Sequence, residues 1–248
     1  MFLHTEKMGS GDRPLLLLHG WGKSLETMRP LGALLGVDSR VHLIDLPGFG
    51  KSPAPDTVWD TAAYADRLIH YMNEVGIQRT DLIGHSFGGK VAMQLAHRHP
   101  HRVDRLVLMN SAGIRYLSPQ KRRRLQRIAF LRKSTRFSDA LFRTALYENW
   151  FIPRFASPDY KNAGALRKIL VQSVNEDLSG VASAIPHLTL LLWSDNDTET
   201  PVEMGRQLQK LIPRAALILM HGKGHEPYLS TGSHLCAHHI QKFLESHP

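Results

Sequence analysis

Short apolar runs that stop abruptly at glycine, aspartate or asparagine recur along the first half of the chain. Pro14 to Leu18 ends at His19-Gly20, Arg40 to Ile44 at Asp45, Thr80 to Ile83 at Gly84, and Arg105 to Met109 at Asn110. Apolar runs of this length without polar alternation suit strands covered on both faces, as in a parallel sheet. Between them lie stretches of helical character, the clearest being Thr57 to Val75 and Phe87 to Arg98, the second stopped by Pro100. The pattern returns late. His187 to Trp193 and Ala215 to Met220 read as strands, Pro201 to Leu211 as a helix opened by proline, and Thr231 to Glu245 as the last helix. Six strands interleaved with helices predict an α/β fold, a mostly parallel sheet with helices on both faces.

Residues 114–186 break this rhythm, being helical in composition with no buried strand run. They read as a small helical cap inserted between the two parts of a core made by residues 1–113 and 187–248. Leu125, Ile128 and Ala129, with Leu131 or Arg132 completing the turn, form an apolar stripe at helical spacing. The same segment changes how the charge is read. The chain carries a formal +9, and nine basic residues with no acidic one fall between Arg115 and Arg136. Taking those nine from 31 leaves 22 basic residues against 22 acidic ones, so the rest of the surface is neutral. A basicity confined to one segment, without the aromatic pattern of base-stacking proteins, argues against nucleic acid as a partner. With 248 residues, 42% of them hydrophobic, the chain can bury a core without staples. Its single cysteine, Cys236, excludes a disulfide framework and a cysteine-rich zinc module. The longest apolar run near the N-terminus is Leu15 to Leu18, too short for a spanning helix or a signal-peptide core, so a cytoplasmic protein is expected.

The segment Gly84-His85-Ser86-Phe87-Gly88-Gly89 sits directly between a strand run and a helical run and fits G-x-S-x-G. Such a turn folds back so sharply that only glycine lets strand and helix meet without a Cβ collision. The serine hydroxyl then stands above the C-terminal edge of the sheet, where the positive end of the next helix favours a developing oxyanion. A nucleophilic serine needs a base and an orienting carboxylate from the same edge. Of fifteen histidines, His225 in Gly222-Lys223-Gly224-His225 follows the last strand in a glycine-rich loop and is the first choice; His221 lies too close to the strand end. His97, His99 and His101 flank a helix end as solvated positions. His234 and His238, four apart on the last helix, are spaced to share a metal, but no third ligand accompanies them. For the carboxylate, Trp193-Ser194-Asp195-Asn196-Asp197 offers Asp197 first and Asp195 second. The other topological source, the strand end after Leu108, carries Asn110 and Ser111 and supplies none.

With these residues in place the chain resembles the α/β-hydrolase superfamily, in particular its small, lidded, cofactor-free esterase-like members. His19-Gly20-Trp21-Gly22 matches the family's HG-x-G turn, Asp45-Leu46-Pro47-Gly48-Phe49-Gly50-Lys51-Ser52 its D-x-P-G-x-G-x-S loop, and Gly84 to Gly88 its nucleophile elbow. Trp193 to Asp197 stands for WG-x-x-D, with Ser194 replacing glycine, and Gly222 to His225 for G-x-G-H. The resemblance implies Ser86 as nucleophile, His225 as base and then acid, Asp197 as its orienter, and the backbone N–H groups of Trp21 and Phe87 as oxyanion hole. His19 and His85 are expected near the pocket, and Asp45 as a structural acceptor at a strand end. Phe2 to Met8 is the only candidate for the family's outermost antiparallel strand, and the sheet is expected to do without it.

The implied reaction is hydrolysis of a carboxylic ester or related acyl bond of a small molecule, with no cofactor. Alternatives on the same residues are C–C hydrolysis, acyl transfer, a lyase reaction, or a binding or signalling role without turnover. A serine at the elbow counts against the carboxylate chemistry of the dehalogenases and epoxide hydrolases that resemble this fold. Gly20-Trp21-Gly22 with Asp45 imitates a dinucleotide fingerprint but has Leu25 at the third glycine position. Gly50-Lys51-Ser52 imitates a phosphate loop but has Asp45 where its first glycine belongs.

Overall fold

The computed structural model describes residues 1–116, 119–229 and 232–246; the side chains of residues 119–122, 124 and 125 lie outside that description. Among the described residues, β1 Thr5–Met8, β2 Arg13–Leu18, β3 Ser39–Ile44, β4 Thr80–His85, β5 Val103–Met109, β6 Thr189–Ser194 and β7 Ala215–Met220 form one sheet. Its order is β1-β3-β2-β4-β5-β6-β7, parallel throughout except for β1 against β3. Helices α1 Leu25–Leu35, α2 Thr61–Glu74 and α3 Phe87–Arg98 alternate with the first strands, and α9 Val202–Leu211 and α10 Gly232–Glu245 accompany the last two. Between β5 and β6 come α4 Pro119–Phe142, α5 Ile152–Phe155, α6 Pro158–Asn162, α7 Arg167–Asn175 and α8 Ser179–Ser183, with no strand among the described residues.

The unbroken apolar runs are explained by helices on both faces. Leu15 and Leu17 point to the side of α1 and α10, with Ile83, Val107, Leu190 and Leu192. Leu16 and Leu18 point to the side of α2, α3 and α9, with Leu82, Leu108, Leu191 and Trp193. All four leucines of β2 are therefore fully buried, and truncating any one of them to alanine costs about 3 kcal/mol.

The absence of an outer antiparallel strand is corrected by the structure. Thr5–Met8 pairs with Val41–Ile44 and closes the sheet edge. Its mixed residues suit an edge strand with one solvated side, which leaves no apolar run to read. Helix α2 starts at Thr61 rather than Thr57 because Asp60 caps it, its Oδ1 accepting from Ala63 N–H at 2.8 Å. Helix α9 starts at Val202, with Pro201 at its N-cap; the expected start of the last helix at Thr231 lies outside the described residues. On α4, Ile128, Ala129 and Leu131 are half-buried and Arg132 is exposed, whereas the Leu125 side chain is outside the description. No described helix is long and apolar enough to cross a membrane.

Register brings the strand ends to one edge. Leu18 pairs with Gly84, His85 with Met109, and Ser194 with Met220, so the loops after β2, β4, β5, β6 and β7 emerge together. In an open parallel sheet that edge is where ligands are bound. Asp45 acts there as the expected acceptor, taking N–H bonds from Leu25 at 2.7 Å and Lys51 at 2.9 Å while facing His4 Nδ1 at 2.8 Å.

Candidate active site

Ser86 occupies the single residue between β4 and α3, with φ 49° and ψ −110°, a conformation L-residues rarely adopt. The turn is held by what surrounds it. Ser86 N–H donates to Met109 O at 3.2 Å, its carbonyl accepts from Gly89, Lys90 and Ala112, and Gly88 N–H donates to His19 O. A Cβ on Gly84 would run into the Gly88 backbone, and one on Gly88 into the Leu18 carbonyl, so the glycines are required by space. The amides of Trp21 and Phe87 have no acceptor among the described residues. Phe87 heads the first turn of α3, where N–H groups lack helical partners. The Trp21 ring packs edge-on against Phe87 at 5.3 Å and Phe49 at 4.9 Å, which fixes the loop after β2 beside the elbow.

The loops after β6 and β7 carry Asp197 and His225. His225 Nδ1 lies 2.8 Å from Asp197 Oδ2. That carboxylate is buried among donors: Asn110 Nδ2 at 2.6 Å and Thr200 Oγ1 at 2.7 Å reach Oδ2, while the amides of Glu199 and Thr200 reach Oδ1 at 2.8 and 3.0 Å. Burial disfavours the Asp197 charge, but the bonds from His225 and Thr200 outweigh it and hold the carboxyl below its usual range. Burial likewise disfavours a charged His225, yet the hydrogen bond and charge of Asp197 leave its pKa raised. Because Nδ1–H is committed to Asp197, Nε2 is the nitrogen left to exchange a proton. It faces Glu199 Oε2 at 3.4 Å. The Ser86 hydroxyl makes no hydrogen bond among the described residues, although Ser86 and His225 border the same cavity of about 440 Å³ with His85, Gly20, Trp21 and Glu199. A second cavity of about 470 Å³ also opens on Ser86 and runs along Phe87, Ile114, Leu170 and Met204, a more apolar wall, with Lys90 and Glu176 at its side.

Residues 13–231 match the family described as the alpha/beta hydrolase fold. The chain belongs to that family. It is 30% identical over 230 residues to 2-hydroxymuconate semialdehyde hydrolase of Pseudomonas sp. (strain CF600), covering 86% of this chain and 80% of the relative. Lipase 3 of Moraxella sp. (strain TA144) is 29% identical over 240 residues, 91% of this chain and 75% of that one. Among solved structures, a membrane phospholipase A described as a bacterial virulence factor superposes with a TM-score of 0.77 at 27% identity, over 98% of this chain and 82% of its own.

Within this α/β-hydrolase frame, the residues singled out from the sequence fall in three groups. Ser86, His225, Trp21, Phe87 and His85 converge at the cavities, with Asp197 directly behind His225. Asp195, the second candidate carboxylate, instead pairs with His221 at 2.7 Å on the exposed side of the same loops. His19 contributes no surface to either cavity: its Nδ1–H donates to Gly20 O and its Nε2 accepts from Leu46 N–H. Full burial pushes its pKa down to about 4 and leaves it a neutral tie between two loops. His85 is both lining and tie. Its Nε2–H donates to the carbonyl of His225 at 2.7 Å and its Nδ1 faces the Tyr228 hydroxyl at 3.1 Å, with burial and the neighbouring His225 pushing its pKa to about 3.

Asn110 cannot supply a carboxylate, and its position is informative for another reason. Its Nδ2 also donates to Gly224 O at 2.9 Å and its Oδ1 accepts from Ser194 N–H at 3.0 Å, so one amide joins both loops. It does so at φ 41°, a region asparagine tolerates better than most residues. The available signal is its place at the end of β5, between the strand that leads into Ser86 and the strand that leads to Asp197. Among the described residues, no group of three histidines, cysteines or carboxylates converges as metal ligands.

Proposed function

We propose that the protein is a serine hydrolase that cleaves a carboxylic ester or related acyl bond. The observation that carries this reading is a strained serine opening on the same cavity as a histidine whose far nitrogen is held by a buried, fully bonded carboxylate. His225 Nε2 takes the Ser86 proton as Oγ attacks the acyl carbon. The carbonyl oxygen gathers negative charge and is received by the amides of Trp21 and Phe87. The protonated His225 then gives that proton to the departing alkoxide, and water repeats the sequence on the acyl-serine, releasing acid and restoring Ser86. Asp197 keeps the imidazole in the required tautomer and stabilises its charged form. The apolar wall of the second cavity suits the acyl chain. Residues 114–186 serve as a cap over the site, contributing Asp159, Leu170 and Ser173 to the cavity walls. A chromogenic short-chain aryl ester tests the reading. It should show a stoichiometric burst of leaving group followed by steady turnover, both lost in Ser86→Ala; turnover retained in that variant would overturn it.

A second reading keeps the same residues and changes the bond to a carbon–carbon bond. It is favoured by the 30% identity to a hydrolase of 2-hydroxymuconate semialdehyde. Faster turnover of that compound than of any simple ester would select it.

A further inference from the structure

Helix α4 buries one side and leaves an apolar stripe on the other. Thr135 is buried, and Ile128 and Leu131 are half-buried near it. On the opposite side Phe130, Phe137 and Leu141 stand 70%, 71% and 61% exposed. With Arg123, Arg127 and Ser134 they are spaced three and four apart, so they line a single face of the helix. The arginines lie toward its N-terminus and the apolar side chains run from its middle to its C-terminal end, with exposed Lys133 along one flank. The acidic residue of this helix, Asp139, is committed elsewhere. Its carboxylate accepts from Thr144 Oγ1 and from the amides of Leu146 and Tyr147, closing the turn that follows. Arg136 likewise lies over the Tyr147 ring at 4.5 Å. The outer face therefore combines cations with two mostly exposed phenylalanines and no neutralising carboxylate of its own helix. Large apolar side chains exposed together mark an interaction surface rather than a solvated one.

We propose that this outer face of α4 docks on an anionic lipid bilayer. Helices that lie in a membrane surface present cations beside aromatic and aliphatic side chains, the cations reaching phosphate headgroups while the rings enter the acyl boundary. Two features favour a bilayer over an acidic protein. The chain's whole excess of positive charge falls in the segment that holds this stripe's cations, which complements an anionic surface, and those cations are long side chains able to follow a fluid one. The surface lies apart from Ser86 and His225, so docking stands whether or not the proposed ester chemistry does.

Flotation of the full chain with vesicles tests this directly, using phosphatidylcholine alone and phosphatidylcholine with about a third phosphatidylglycerol. The wild-type chain should float with the anionic vesicles at low salt, bind the neutral ones far more weakly, and dissociate as salt shortens the Debye length below about 10 Å. Arg123→Gln/Arg127→Gln/Lys133→Gln should lower partitioning on the order of a hundredfold, and Phe130→Ser/Phe137→Ser at least about tenfold. The two variants remove different parts of the stripe, and each is compared with wild type only after its thermal unfolding is matched. A wild-type chain that stays with neither vesicle overturns the proposal. So does binding unchanged in both variants, or a stripe consumed by a dimer that Phe130→Ser/Phe137→Ser dissolves while vesicle binding persists.

Discussion

Two histidine–carboxylate pairs sit side by side on the loops after β6 and β7, with nearly equal contact distances: 2.8 Å for His225 and Asp197, 2.7 Å for His221 and Asp195. Their surroundings differ. The Asp197 side chain is fully buried and that of His225 16% exposed, against 38% for Asp195 and 89% for His221. Four further hydrogen bonds saturate Asp197, whereas Asp195 is joined by the Gly222 amide at 2.9 Å. An exposed ion pair contributes little because water competes for both partners and each side chain loses freedom to meet the other. A buried, pre-bonded carboxylate instead fixes one tautomer and one orientation of the ring. In the proposed mechanism the environment of the pair and its access to Ser86, not its length, therefore select His225 and Asp197.

The sharpest way to break this comparison is to remove each histidine in turn. His225→Ala and Ser86→Ala should each lower ester kcat/KM by about four to six orders of magnitude, with a double variant no worse, because the residues act as a unit. His221→Ala should stay within about twofold of wild type. Equal losses for His221 and His225 would dissolve the distinction. Next come the acids. Asp197→Asn should cost on the order of 10⁴ in kcat with the fold intact, since the amide can no longer select the tautomer, while Asp195→Asn should be mild.

Asn110→Ala sharpens the comparison at the level of support. Losing the bonds to Asp197 Oδ2 and Gly224 O should lower kcat/KM by about ten- to hundredfold and also lower the melting temperature. A variant that loses stability while keeping full kcat would confine Asn110 to holding the loops together.

The pH dependence is the smallest effect and has two separable parts. If His225 is the base proposed above, activity needs its neutral form, whose pKa is raised, so the acidic limb of kcat/KM should lie above the ordinary histidine value and should move in Asp197→Asn. Stability has the opposite origin. His19 and His85 have pKa values pushed down to about 4 and about 3 in the folded chain, so only the unfolded chain binds their protons between roughly pH 6.5 and 4. Unfolding free energy should then fall as pH drops through that window, by about 1.4 kcal/mol per pH unit for each of the two residues. His19→Gln should flatten the slope; an unchanged slope would place the acid sensitivity elsewhere.

The parallel strands were legible in the sequence because burial on both faces removes polar alternation: Leu15 to Leu18 and Leu106 to Met109 have no other use. β1 was not, since an edge strand of Thr5, Glu6, Lys7 and Met8 carries its information in pairing with β3. The strand-to-helix turn at Ser86 was legible because its glycines are demanded by local sterics, and the meeting of His225 with Asp197 because strand ends announce the loops that hold them. What could not be read was which neutral groups tie those loops together. The Asn110 amide and the His85 ring act across 84 to 140 positions of sequence separation, in bonds to Ser194 and to the His225 carbonyl, and nothing local encodes such a reach.

The central claim, that Ser86 is the nucleophile served by the buried pair, is tested most directly by covalent labelling with a fluorophosphonate and peptide mass analysis. One adduct per chain is predicted, on the peptide containing Ser86, formed at wild-type rate in His221→Ala, slowed by orders of magnitude in His225→Ala and absent in Ser86→Ala. An adduct on another residue, or labelling of Ser86 that does not depend on His225, would contradict it.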